Sequence, residues 1–230
     1  MTIPDKYEKL NNPVWHSLTE THQQFSINND GIKFYHPDFC PFGGANKSQG
    51  LSPYLDQYAK LVDNFYVVGD KPDIPPKLSI NKELVCLQMV LEDRITVQGT
   101  EKIFSLNQGY TEELFELVNL VQPGYFRSKT VLLGDYFGIF QDGKLIAAAG
   151  ERMQMNEFVE VSAIVTHPEY NGKGYAKQLT AYTVNNIFSK QKVPYLHVAK
   201  SNLPAINLYK KLGFETRSEI SFWNINKRGE

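Results

Sequence analysis

The stretch Val161-Ser-Ala-Ile-Val-Thr-His-Pro-Glu-Tyr-Asn171-Gly-Lys-Gly174-Tyr-Ala176-Lys-Gln-Leu179 decides how this chain folds. An apolar strand ends at a proline turn, and a Gly-Lys-Gly loop then feeds directly into a helix. Gly172 and Gly174 let the backbone turn sharply and let a ligand approach with no Cβ in the way. Ala176 is small for the same reason. The free N–H groups at the helix start point outward, and the helix dipole adds positive potential. Such a turn can hold a phosphate or pyrophosphate, with Lys173 adding a charge at the rim. A glycine turn between strand and helix also occurs with no ligand at all, so spacing has to discriminate. A Walker A loop needs Ser or Thr after its lysine, and Lys173 is followed by Gly174. At Asn46-Lys47-Ser48 the glycine before the lysine is missing. A dinucleotide fingerprint needs three spaced glycines after the first strand of its βαβ unit, and only two are present.

Moving outward, the next helix carries Asn202-Leu-Pro-Ala205-Ile-Asn-Leu208-Tyr209-Lys-Lys-Leu212-Gly213-Phe214. Asn202 suits its N-cap, Pro204 its first turn and Gly213 its end. Tyr209 lies one turn from Ala205, beside Leu208 and Leu212.

These two segments together resemble the GCN5-related N-acetyltransferase (GNAT) superfamily, in its FR47-like subgroup. The resemblance runs from Glu101 to about Ile225. It implies that Asn171, Gly172, Lys173, Gly174, Tyr175 and Ala176 form the loop whose amides hold the pyrophosphate of coenzyme A. Asn171 departs from the usual Arg or Gln and loses a long hydrogen-bonding side chain, while the backbone cradle stays. The later family pattern N-x-x-A-x-x-L-Y-x-x-x-G-F matches Asn202, Ala205, Leu208, Tyr209, Gly213 and Phe214. The resemblance assigns Asn202 to the pantetheine arm and Tyr209 to protonation of the leaving thiolate. The opening Leu10-Asn-Asn-Pro-Val-Trp-His-Ser-Leu-Thr is similar to the start of two-part members, in which a degenerate first half precedes the catalytic half. The activity implied is direct transfer of an acyl group, most simply acetyl from acetyl-CoA, to a small-molecule or peptide amine in a ternary complex, with no metal. The alternative is a non-catalytic acyl-CoA-binding or regulatory module of the same fold.

Acyl transfer to an amine needs a neutral amine, a polarised carbonyl and a proton for the departing sulfur. Two parallel strands that splay apart expose backbone N–H groups for the thioester carbonyl and the pantetheine amides. The strand pair expected here is Phe158 to Val165 with Tyr195 to Ala199, which makes Ala163, Ile164 and Val165 part of the coenzyme site. Glu160 is the first candidate for general base. Alternation places it with Phe158, Ser162 and Ile164, opposite Val159, Val161 and Ala163. If buried among apolar neighbours, its pKa should rise. The other reading is a solvent-facing or ion-paired strand glutamate. Glu151 is the rival base, with Arg152 as its expected ion partner. Tyr209 is the candidate general acid, against a core tyrosine with a satisfied hydroxyl. His197 is expected to be structural or to shape the substrate site, and His167 to be a turn residue. Tyr125, Phe126 and Arg127 are candidate acceptor-site walls, and Arg127 suits a carboxylate.

Upstream, Tyr136–Phe140 and Leu145–Met153 form a hairpin about Asp142-Gly143. Thr111 opens a helix with Glu112 and Glu113 in its first turn, where carboxylates suit the dipole. Its apolar positions Leu114, Leu117, Val118 and Val121 follow helical spacing. A last hairpin is expected at Phe214–Arg217 and Ile220–Ile225. Residues 1–97 read as a smaller mixed α/β half and 98–230 as the catalytic half, with no sequence repeat between them. The first half has a turn-rich stretch at 27–56, a short helix at Tyr54–Leu61 and strands at Asn64–Val68 and Leu84–Leu91. The fold class is therefore α/β (mixed α+β), with a mostly antiparallel sheet, one splayed parallel pair and flanking helices.

A length of 230 residues can bury a core without staples. The net charge of -1 offers no field for nucleic acid or an anionic membrane. Cys40 and Cys86 leave room for one disulfide, form no CxxC metal pair, and suit packing as small hydrophobes. Met1 to Leu10 lacks the apolar core of a signal peptide, so the expected location is cytoplasmic.

Overall fold

The computed structural model of the chain describes residues 6–47, 49–96, 99–107 and 109–228. The first half contains α1 (Pro13–Thr19), β1 (Ser26–Asn29), β2 (Ile32–Tyr35), β3 (Phe42–Ala45), α2 (Ser52–Tyr58), β4 (Asn64–Val68) and β5 (Leu78–Val90). The second contains β6 (Phe104–Ser105), α3 (Thr111–Val121), β7 (Tyr136–Gln141), β8 (Lys144–Gln154), β9 (Phe158–Thr166), α4 (Tyr175–Ser189), β10 (Val193–Ala199), α5 (Leu203–Lys211) and β11 (Glu215–Lys227). By contacts the chain divides into two compact units. One comprises Met1–Pro37, Pro41–Cys86 and Glu219–Glu230, the other Asp38–Cys40 and Leu87–Ser218. β5 and β11 contribute residues to both. The boundary expected at residue 97 falls on Val97 and Gln98, outside the described residues.

In the second unit the strand order is β5-β10-β9-β8-β7-β6. Strands β6 to β9 are antiparallel neighbours, and β9 and β10 run parallel. Asp142 and Gly143 have φ 50° and 78°. These are the left-handed conformations of a two-residue type I′ turn, which the Asp-Gly pair accepts at low cost. Helix α3 buries Leu114, Leu117 and Val118 against Tyr136, Leu145, Ala148, Ala163 and Val165. Helix α4 covers the other face. It sets Leu179 on Phe137, Ile139, Ile146, Ala147 and Ala149, and Val184 and Ile187 on Val159, Val161, Leu196 and Val198.

One irregularity decides which β9 residues face which helix. Ala163 has φ 51°, and the β8–β9 register slips between Ala148↔Val165 and Gly150↔Ser162. This β-bulge adds a residue to β9 and inverts its alternation. Before it, Val159 and Val161 face α4 and α5; after it, Ala163 and Val165 face α3. The simple alternation expected for this strand therefore fails at the bulge: Ala163 joins the α3 face, and Ile164 packs against the clusters on the opposite one.

In the first unit the order is β1-β2-β3-β4-β11-β5. The turn-rich stretch holds three short strands, with Gly31 at φ 80° in the β1–β2 turn. β3 and β4 are parallel, a second parallel pair beyond the one expected. The core gathers Phe34, Tyr58 and Phe65, with the first two rings stacked at 4.0 Å. The succession α1-β1-β2-β3-α2-β4 matches α3-β7-β8-β9-α4-β10 in element order and strand direction. The repeat is one of topology, with no repeat of sequence. The expected C-terminal hairpin is a single long strand, β11. Arg217-Ser218-Glu219 contains neither Gly nor Pro, and the backbone continues extended through it. Among the described residues no helix is long and apolar enough to cross a membrane.

Candidate active site

β9 and β10 pair at Phe158↔Val193, Val159↔Pro194 and Glu160↔Tyr195, and there the pairing stops. β9 continues to Thr166 and β10 to Ala199. The strands thus diverge, leaving the facing edges at 161–166 and 196–199 without ladder bonds to each other. Ala163, Ile164 and Val165 lie on this open length of β9.

Past β9 the chain makes a short 3-10 turn, Pro168–Tyr170, in which His167 Nδ1 accepts a hydrogen bond from the Glu169 amide at 3.4 Å. His167 is the turn residue expected. Gly172 and Gly174 have φ 80° and 82°, and nothing lies within 4 Å of where a Cβ would stand on either. Both glycines are therefore needed for backbone geometry, and both border open space. Gly174 is the N-cap of α4 and offers no side-chain cap, so the first amides of the helix keep their donors for another partner. Lys173 Nζ lies 5.0 Å from the centre of the Tyr170 ring, on the loop surface.

Asn202 caps α5, its Oδ1 accepting from the Ala205 amide at 3.2 Å. The helix closes with Phe214 N–H donating to Tyr209 C=O and with Gly213 at φ 94°, a Schellman-type ending. Tyr209 is buried against Val159, Val161, Leu196 and Val198, the two strands that separate. Its hydroxyl makes no hydrogen bond to another described residue. Burial raises its pKa, so the phenol stays protonated through the neutral range.

Glu160 is the main correction. Its carboxylate is 1% exposed. Arg152 grips it with both forks, Nε to Oε2 at 2.7 Å and Nη2 to Oε1 at 2.8 Å. His197 Nδ1 bonds Oε1 at 2.8 Å. Burial alone would raise the pKa as expected. The charge and hydrogen bonds of Arg152, with the hydrogen bond from His197, outweigh it and hold the carboxyl down to about 2. A carboxylate so held is a poor proton acceptor near neutrality. Glu151 is not the partner of Arg152 either. It is fully buried and bound to Lys190 Nζ at 2.7 and 2.8 Å and to Asn186 Nδ2 at 3.0 Å. Both candidate bases are the ion-paired glutamates of the competing reading.

The network extends beyond Glu160. Arg217 Nη1 donates to Gln88 Oε1 at 3.0 Å, and Gln88 Nε2 lies 3.0 Å from His197 Nε2. Arginine cannot accept, so Gln88 must turn its oxygen to Arg217 and its NH₂ to the imidazole. His197 Nε2 then accepts, and Nδ1–H donates to Glu160.

Comparison with known proteins agrees with this geometry. Residues 136–223 match the family described as FR47-like protein. Over 90 residues the chain is 32% identical to the spermidine N(1)-acetyltransferase of Escherichia coli (strain K12), a match covering 33% of this chain and 46% of that protein. The chain thus spans about half the length of the curated relatives it matches. A solved GNAT-family protein from Novosphingobium aromaticivorans DSM 12444 is 29% identical with TM-score 0.85, covering 96% of this chain and all of that one. The chain is similar to GCN5-related N-acetyltransferases in fold, and its residues 136–223 carry the FR47-like match. A GCN5-related N-acetyltransferase from Kribbella flavida shares the fold alone, at 12% identity and TM-score 0.67 over 99% of this chain and 98% of its own.

Members of the GNAT superfamily use acetyl-CoA, and the residues of this chain fit it. Open glycine positions, uncommitted helix amides and a strand edge without ladder bonds occur in sequence along one path. The Arg152–Glu160–His197–Gln88–Arg217 chain was not legible beforehand. Alternating polar positions on adjacent strands were a signal for it, but pairing them needs the β8–β9 register, which slips between Glu151 and Gln154. Arg127, a candidate acceptor-site wall from the sequence, has its Nε buried with no hydrogen-bond partner among the described residues, a state that costs about 1–3 kcal/mol.

Proposed function

We propose that this protein transfers an acyl group, most simply acetyl, from acyl-CoA to an amine within a ternary complex. The observation that carries the reading is the β9–β10 pair, which parts after Glu160↔Tyr195 and leads into the Gly172-Lys173-Gly174 turn at the start of α4. The thioester supplies the activated acyl carbonyl. The amides of Gly172 to Ala176 cradle the pyrophosphate, Asn171 and Lys173 line its rim, and the open edge at Ala163, Ile164 and Val165 takes the pantetheine amides. Asn202 keeps its Nδ2 for the same arm. Tyr209 gives its proton to the departing thiolate. Glu160 acts as a positioning residue, fixing Arg152 and His197 at the point where the strands part, and the amine proton leaves through solvent. The first unit is a degenerate repeat of the second. We assign the reaction to the cytoplasm.

The paired state of both glutamates also favours a second reading, an acyl-CoA-binding module without turnover. The unpartnered Tyr209 hydroxyl argues for the enzyme. A thiol-release assay with acetyl-CoA and an amine panel separates the two. Coenzyme A should bind saturably and raise Tm by mass action. Gly174→Asp should abolish that binding, because it puts a side chain and a negative charge into the cradle. Unchanged affinity in a folded Gly174→Asp protein would remove the site assignment.

A further inference from the structure

The segment between α3 and the 3-10 turn Thr130–Leu133 presents a cation whose side chain has no partner among the described residues. Phe126 is buried in the cluster with Ala163 and Val165, its ring 5.6 Å from that of Tyr136. This sets the segment on the α3 face of β9, opposite Tyr209 and the helices α4 and α5. The backbone at Arg127 is pinned. Its N–H donates to Thr130 Oγ1 at 2.7 Å, its C=O accepts from the Thr130 N–H at 3.1 Å, and Thr130 Oγ1 donates to Phe39 C=O at 2.6 Å. The guanidinium is not paired. Neighbouring Lys129 has Asp38 at 2.9 Å and Arg152 has Glu160 at 2.7 Å, whereas Arg127 has no partner among the described residues. Its Nε is shut off from solvent and unsatisfied. Residues 122–129 contain Arg127 and Lys129 and no Asp or Glu.

A planar guanidinium held in place on a fixed backbone turn matches a carboxylate in geometry and charge. The coenzyme cradle opens at the start of α4, so an acceptor that meets the thioester from the far side of the parted strands arrives over the α3 face. Building on the acyl-transfer reading, we infer that Arg127 binds a carboxylate of the acceptor, and that the acceptor is an amino-carboxylate rather than a polyamine. A polyamine would instead face an unpaired cation with no acidic side chain in this segment.

The test uses the full chain with acetyl-CoA and matched acceptors, such as lysine against 1,5-diaminopentane, with spermidine as the polyamine. The carboxylate-bearing partner should have a kcat/KM higher by roughly tenfold to a hundredfold. Arg127→Gln should raise KM for that partner, leave kcat and coenzyme affinity nearly unchanged, and barely affect the diamine. Arg127→Lys should restore part of the loss, since it keeps the charge without the fork. A wild-type preference for spermidine or the diamine, or an Arg127→Gln protein with the same selectivity as wild type, would overturn the inference. If no acceptor releases thiol although coenzyme A binds, it is the acyl-transfer reading that fails. The same pairs are then titrated into coenzyme-saturated protein. Carboxylate-dependent binding that disappears in Arg127→Gln supports the inference, and its absence overturns it.

Discussion

At the scale of single residues, Tyr209 and Glu160 are both buried and have opposite electrostatics. The phenol has burial acting on it and its hydroxyl has no hydrogen-bond partner among the described residues, so it holds its proton. The carboxylate has burial opposed by a guanidinium and an imidazole, so it is ionised. Tyr209→Phe should lower kcat by about tenfold or more while the Kd for coenzyme A, measured by calorimetry, stays put. Normal turnover would make the tyrosine a packing residue. Glu160→Gln should chiefly destabilise, by about 3–5 kcal/mol in denaturant titration, because it removes the buried carboxylate that both forks of Arg152 grip. The pH dependence follows from the sign of the shift. A carboxyl lowered from 4.5 to about 2 on folding contributes stability that is complete above pH about 4.5 and is lost as pH falls toward about 2. Acid unfolding of the wild type should fall in that window and be blunted in Glu160→Gln. The rising limb of kcat/KM near neutrality should persist in that variant. A flattened limb in a stable Glu160→Gln protein would return the base role to Glu160.

At the scale of the element, β9 depends on one residue in the left-handed region. Ala163 adopts φ 51°, which a β-branched side chain tolerates poorly. Ala163→Gly should keep the bulge and coenzyme binding. Ala163→Val should force the strand toward regular pairing, lower Tm and weaken coenzyme binding, because the edge at 163–165 would no longer meet the cradle in the same register. Equal coenzyme affinity in the two variants would detach the bulge from the site. The helices were more legible than the strands. Glu112 and Glu113 with the spacing of Leu114, Leu117 and Val118 marked α3, and Asn202 and Gly213 marked both ends of α5, since caps and periodicity are local. The extent of β11 was not legible, because whether an extended segment turns back is decided by the strand beside it.

At the scale of the whole molecule, two successions of helix, three antiparallel strands, helix and parallel strand follow one another, and their strand ends differ. In the first unit, Asn12 Nδ2 donates to Ala45 C=O at 2.6 Å, at the end of β3. A Cβ on Gly44 would stand 2.6 Å from the Trp15 backbone nitrogen. The start of α1 thus lies against the strand end that corresponds to the open length of β9. Coenzyme titration should accordingly give one site per chain by calorimetry. Two equivalent sites would show that α1 yields to ligand.

The sequence by itself determined the glycine turn at 172–174, the helix that follows it, the capped helix bearing Tyr209 and the mixed character of the sheet. Each depends on groups a few residues apart: a glycine free of Cβ strain, an amide that needs a cap, a stripe at helical spacing. Only the tertiary structure decided the state of Glu160. Whether a buried carboxylate is neutral or ionised depends on which charges face it, and Arg152 and His197 come from neighbouring strands whose register is offset by bulges. The same holds for Arg127, whose significance lies in the absence of a partner among the described residues. A missing contact is a property of the packed neighbourhood, and local sequence does not encode it.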